Sequence, residues 1–97
     1  MKIGVTSQNF RTVTGHAGKT RRFIIYDVAS GMAPVEKERL DLPREMSMHD
    51  WSGEGTHPLF ELDYLLTAGC GEGFIKKMHR HGVTVHVTSV EDPAGAV

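Results

Sequence analysis

Ninety-seven residues leave room for one hydrophobic core, so the chain reads as a single domain over residues 1–97. With 39% apolar and 24% charged residues it is neither a disordered tail nor a membrane-embedded chain. Eleven Lys and Arg against twelve Asp and Glu give a net charge of −1, which argues against nucleic acid or an anionic membrane as the partner.

Residues Met1 to Asn9 lack the long apolar region and small-residue cleavage pattern of a secretion signal, and no apolar run approaches the ~20 residues of a membrane span. The lone Cys70 excludes an internal disulfide and a four-cysteine metal site within one chain. A cytoplasmic protein is expected. The six histidines, His16, His49, His57, His79, His81 and His86, are many for this length and form no tract.

In chain order, Lys2–Thr6 alternates with Ile3 and Val5 on one face and predicts a core strand. The polar stretch Ser7 to Lys19 carries Gly15 and Gly18 and has room for a short strand near Arg11–Thr14. Arg22–Val28 is β-branched and aromatic and predicts a strand. After the turn Ala29-Ser30-Gly31, Val35–Leu40 is a polar edge strand, antiparallel to the previous one. Pro43 to Gly55 is the least regular segment. Thr56 then caps a short helix with Pro58 in its first turn, and Leu62–Thr67 is a buried strand. The glycine-rich turn Ala68 to Gly73 leads into a helix over Gly73–His81, with Phe74, Ile75 and Met78 as its apolar stripe and Gly82 as its stop. Val83–Val87 is the last strand, with its three valines facing inward; Asp92-Pro93 starts a helix that the sequence does not continue. Leu62–Val87 is thus a β–α–β unit whose two strands are parallel. The sum is an α/β protein: a mixed five-stranded sheet with one principal helix and a short second helix.

Ligands of such units collect beyond the carboxyl ends of the strands, here at Gly69–Gly73. Glycines admit close backbone approach, and free N–H groups at a helix start favour anions. The spacing is G-x-G-x-G rather than the dinucleotide fingerprint, with Phe74 in place of its third glycine. The plain alternative is that these glycines only tighten the turn. Cys70 lies just before the helix, where the dipole can lower a thiol pKa and fit it for metal ligation or nucleophilic attack; the alternative is a small core thiol. His79 and His81 point about 200° apart on a helix and cannot chelate one ion. His16, His49 and His57 lie in irregular segments and are better ligand candidates. The group Lys19-Thr20-Arg21-Arg22 is either a solvated face or one wall of an anion pocket.

Lys2-Ile3-Gly4-Val5-Thr6, then Gly15-His16-Ala17-Gly18-Lys19 leading into Arg22–Val28, resembles the start of the dinitrogenase iron–molybdenum cofactor-binding family, which holds the NifX/NafY-type carriers and the C-terminal domain of NifB. His57-Pro58-Leu59, Leu62 to Leu66, Gly69-x-Gly71-Glu72-Gly73-Phe74, His81-Gly82-Val83 and Asp92-Pro93 resemble the family's later motifs. Ala17 and Lys19 stand where the family usually has an aromatic residue and arginine, and the resemblance is faint over residues 29–55. It implies a ribonuclease-H-like fold without nuclease chemistry, since Ile3-Gly4-Val5 supplies no carboxylate. It implies a non-catalytic carrier of iron–molybdenum cofactor or an iron–sulfur precursor, held transiently between donor and acceptor proteins by a monomer or weak homodimer. His16, Lys19, Gly69, Cys70, Gly71, Glu72 and Gly73 would form the cofactor site. His16 and Cys70 would be metal ligands, with His57 in reserve. The His16 and Cys70 α-carbons are then expected within about 15 Å, the reach of two side chains and a small cluster. The alternative function is a small thiol-dependent enzyme or an interaction module that has lost the cluster.

Overall fold

The computed structural model describes residues 1–51 and 55–97. Strands β1 (Lys2–Thr6), β2 (Arg22–Asp27), β3 (Val35–Asp41), β4 (Tyr64–Thr67) and β5 (Thr84–Val87) form one sheet in the order β3-β2-β1-β4-β5. The strand pairs β1/β2 and β2/β3 are antiparallel, whereas β1/β4 and β4/β5 are parallel. Helix α1 (Glu72–Arg80) crosses between the two parallel strands, and a last single turn, α2 (Pro93–Ala96), follows. The mixed five-stranded α/β architecture and the parallel β4/β5 pairing are as the sequence predicts.

The alternation of each central strand sorts its side chains onto two faces. Phe23, Ile25 and Leu65 pack under Phe74 and Met78 of α1, joined by Leu42, Met48, Leu59 and Val83. Ile3, Val5, Ile24, Tyr26 and Leu66 face the other way, against Phe10, Val13, Ala96 and Val97. Gly4 is buried in the central strand, and a Cβ there would lie 2.5 Å from Leu62 Cδ1 and 3.3 Å from Leu65 Cδ1. Leu62 is itself buried, so it has little room to yield.

Several details differ from the sequence reading. The segment Arg11–Thr14 forms no strand; it joins the edge of the molecule through single bonds such as Val13 N–H to Glu91 O (2.8 Å). The expected short helix is a 3-10 turn over Pro58–Glu61, and its N-cap is His57, not Thr56. Leu62 ends that turn, so β4 begins only at Tyr64. Val83 is buried but Val87 is 59% exposed, because α1 covers only the beginning of this four-residue edge strand. Ile75 likewise lies at the rim of the helix's apolar stripe, with Phe74 and Met78 buried.

His57 is almost wholly buried, and both ring nitrogens are engaged. Nδ1 accepts the Leu59 N–H (3.1 Å), and Nε2 lies 2.7 Å from Met46 O, to which it donates in the neutral tautomer. The ring therefore ties the turn before β4 to the irregular segment before it, within an edge-to-face cluster with Trp51 and Phe60. Loss of hydration by burial lowers its pKa, which outweighs the Met46 carbonyl's preference for the protonated ring; the charge of Lys77 adds to the lowering.

Two outcomes are expected. Because the folded state holds this imidazole neutral, its contribution is complete above the unfolded pKa of about 6.5 and is lost as pH falls through the lower folded value. Urea midpoints measured from pH 7.5 down to 5 should fall for the parent and fall less for His57→Asn. The Asn side chain keeps the cap but not the Met46 bond; His57→Ala loses both and should cost about 2 kcal/mol. Gly4→Ala should cost about 1–3 kcal/mol through overpacking against Leu62, read from the same denaturation curves.

Candidate functional site

Because β1 and β4 are parallel neighbours, their carboxyl ends, Thr6 and Thr67, lie side by side. Both side chains are completely buried. Thr6 Oγ is 2.9 Å from Thr67 Oγ and 2.5 Å from Thr14 O, while Thr67 Oγ is 3.2 Å from Thr14 O and 3.1 Å from Gly69 O. Each hydroxyl carries one proton, so the pair shares these acceptors. The main chain adds Thr14 N–H to Thr6 O (2.9 Å), Ala68 N–H to Thr14 O (3.1 Å) and Ala17 N–H to Gly69 O (3.2 Å). The loop after β1 and the loop after β4 are thereby stitched together. A Cβ on Gly15 would touch the Gly69 backbone at 3.6 Å.

His16 and Cys70 flank the Ala17–Gly69 bond. Standard backbone dimensions then hold their α-carbons within about 9 Å. His16 is exposed and has φ +54°, a left-handed conformation that a non-glycine residue adopts only when held. Its carbonyl is fixed by Lys19 N–H (2.9 Å), Thr20 N–H (3.1 Å) and Thr20 Oγ (3.1 Å). The imidazole is thus displayed at the tip of a pinned turn. His16 lines a concavity of about 250 Å³ with Gln8, Thr14, Gly15, Lys19 and Thr20.

Cys70 is half-buried and packs beside the core under α1. Burial raises its thiol pKa, contrary to the lowering expected from the helix dipole. The group is a protonated thiol at neutral pH, a poor free nucleophile that a soft metal can still deprotonate. Gly71 caps α1 without a side-chain bond, and Glu72 and Gly73 in the first turn are exposed. His57 lies apart from this junction, with both nitrogens committed, so it offers no lone pair to a metal. Among the described residues no three His, Cys, Asp or Glu side chains converge to hold an ion. The expected set His16, Cys70 and His57 is therefore not assembled; the fold brings together two of the three.

His49 is the third of the ligand candidates from the irregular segments, and among the described residues it too joins no converged set of three. Its N–H donates to Gly18 O (2.6 Å), and it borders two clefts. One, of about 280 Å³, is shared with Gly18, Met48, Gly73, Phe74 and Lys77 at the start of α1; the other, of about 540 Å³, is shared with Lys19 and Arg21. Its place in an irregular segment beside Met46 and Met48 is its signal in the sequence. Thr67→Val, which keeps the shape and removes the hydroxyl, should cost about 1–2 kcal/mol. It should also speed amide exchange at Ala17 and Ala68 relative to the sheet, as measured by NMR.

Among solved structures, the chain is similar to the crystal structure of PH0822, at 21% identity and TM-score 0.67, covering 100% of this chain and 84% of that one. It is also similar to the NMR structure of a Thermotoga protein, TM1290, described as a "putative NifB protein" of the DUF35 family. That match has 19% identity and TM-score 0.59, and covers 94% of this chain and 78% of that one. At such identities the likeness is one of fold. No curated protein matches the sequence. The family match runs over residues 1–97, and the chain belongs to the dinitrogenase iron-molybdenum cofactor family.

Proposed function

We propose that this protein is a non-catalytic carrier that takes iron–molybdenum cofactor, or an iron–sulfur precursor of it, as transient cargo. The observation that supports the reading is the Ala17–Gly69 bond, whose two residues are the chain neighbours of His16 and Cys70. A preformed cluster brings its own sulfides and needs few protein donors; one thiolate and one imidazole are a soft and a borderline ligand suited to it. Lys19 and the amides around Gly69, Gly71 and Gly73 would face the cluster's negative periphery, with Glu72 at the rim. Two ligands, one of them a thiol that must lose its proton on binding, make for loose retention, which a carrier requires.

The strand order, with only β2 reversed relative to its neighbours in the central three, supports a ribonuclease-H-like class for the fold. Cargo would pass between a donor and an acceptor protein in the cytoplasm, with the carrier a monomer or weak homodimer. No helix among the described residues is long and apolar enough to cross a membrane. The thiol-enzyme alternative is weakened by the raised pKa of Cys70.

Anaerobic incubation with isolated iron–molybdenum cofactor, followed by gel filtration, should give a brown protein fraction. Cys70→Ser and His16→Ala should each reduce the retained chromophore about ten-fold with unchanged thermal midpoints. No chromophore on the parent protein would overturn the carrier reading; full retention by both variants would overturn the site.

A further inference from the structure

One of the clefts bordered by His49 shares Lys19 with the His16 concavity and is lined by Lys19, Arg21, Arg44, Ser47, His49 and Asp50. Its volume of about 540 Å³ falls in the range of small-molecule sites. Its charge is the opposite of the whole chain's: three permanent cations meet one carboxylate, on a protein of net charge −1. Among the described residues, Lys19, Arg21 and Arg44 enter no ion pair, whereas Arg22 turns to Asp41 (3.5 Å) and Arg39 to Glu36 (3.2 Å). The single carboxylate, Asp50, is 3.3 Å from the buried Ser47 Oγ, which donates to it.

The walls are held by the fold. Arg21 O accepts the Leu42 N–H (2.9 Å), which extends the β2–β3 pairing to the base of the cleft. The segment that carries the other lining residues, residues 44–51, is fastened at four points. His49 N–H bonds Gly18 O, and His57 Nε2 bonds Met46 O. Lys77 Nζ donates to Met48 O (3.4 Å) and Trp51 O (3.5 Å) while lying over the Trp51 ring. Like charges gathered on anchored backbone repel one another, and nothing described in the cleft offsets that repulsion except Asp50.

We infer that this cleft is a binding site for a small, multiply charged oxyanion, recognised through phosphoryl or carboxylate oxygens by the Arg21 and Arg44 guanidinium groups and the Lys19 ammonium. Two guanidinium forks lining one cleft suit a ligand with two anionic groups, which each can grip in a bidentate manner. The exposed His49 lies at the edge, while the Ser47 proton stays committed to Asp50. The site requires no metal and shares only Lys19 with the proposed cluster site, so Arg21 and Arg44 are the residues that test it separately.

Isothermal titration of the full chain with pyrophosphate and with citrate, in low-salt buffer, tests it and separates the two sources of oxygen. Saturable one-to-one binding of at least one probe is expected, with amide shifts centred on Lys19, Arg21, Ser47 and His49. Arg44→Gln and Arg21→Gln should each weaken it about ten-fold, while Lys37→Gln, which removes the same charge from the exposed edge strand β3, should leave it unchanged. Absence of binding by both probes at millimolar concentration would overturn the site. So would equal weakening by Lys37→Gln, which would mark a general charge effect. Neither result bears on chromophore uptake, which reads the His16–Cys70 junction separately.

Discussion

The carbonyl of Thr14 is the point on which the functional end of this molecule depends. It is met by two buried hydroxyls, Thr6 and Thr67, and by the Ala68 amide. These groups sit where the two central parallel strands end, a place where main-chain donors and acceptors would otherwise be left without partners as the strands diverge into loops. A buried polar group without a partner costs about 1–3 kcal/mol, so the loops are driven to this arrangement by satisfaction of the strand ends as much as by contacts of their own. The positive φ of His16, the burial of Ala17 and the closeness of Gly15 to the Gly69 backbone, where a Cβ on Gly15 would meet it at 3.6 Å, accompany it.

A second constraint acts on the irregular segment of residues 42–51, which follows β3. It contains little regular secondary structure, yet Ser47 and Met48 are buried. Its order comes from side chains reaching in from elsewhere: His57 to Met46 O, Lys77 to the carbonyls of Met48 and Trp51, and the aromatic contacts of Trp51 with His57 and Phe60. Lys77 shows the economy of this scheme. Its charge lies over an aromatic face and against carbonyl oxygens, and its alkyl stem leaves α1 toward the segment that the helix must hold. The same anchoring that completes the core under α1 also holds the segment that brings Arg44 to the cleft lined by Arg21.

The two faces of the sheet are covered unequally. The face under α1 is a closed core with Phe23, Leu59, Leu65, Met78 and Val83 each fully buried. The other is covered by Phe10, Val13 and the short turn α2, whose Asp92 side chain accepts the Gly95 N–H (3.2 Å). Phe10 is held between the guanidinium groups of Arg22 and Arg39, at 5.6 and 5.5 Å from its ring centre. Charged side chains of the β2–β3 ribbon thus take part in covering an apolar face.

By itself the sequence determined the strands, the crossover helix and the parallel pairing of β4 and β5, because alternation, the glycine-rich turn and the Phe74/Met78 stripe are local signals whose period matches the element they form. It also pointed to the loops bearing His16 and Cys70, since glycines beside a ligand-type residue are legible without coordinates. Only the tertiary structure decided which of those residues meet. His57 has the type and placement of a ligand in sequence, but burial and two hydrogen bonds commit it to capping. Cys70 stands before a helix, but its burial among distant side chains raises the thiol pKa. Arg44 carries no pattern that marks it, and it joins Lys19 and Arg21 only because distant side chains fasten its segment. Periodicity records what a residue does within its own element. Desolvation, hydrogen-bond completion and charge convergence depend on neighbours far along the chain, and these exist only once the sheet has closed over its helix.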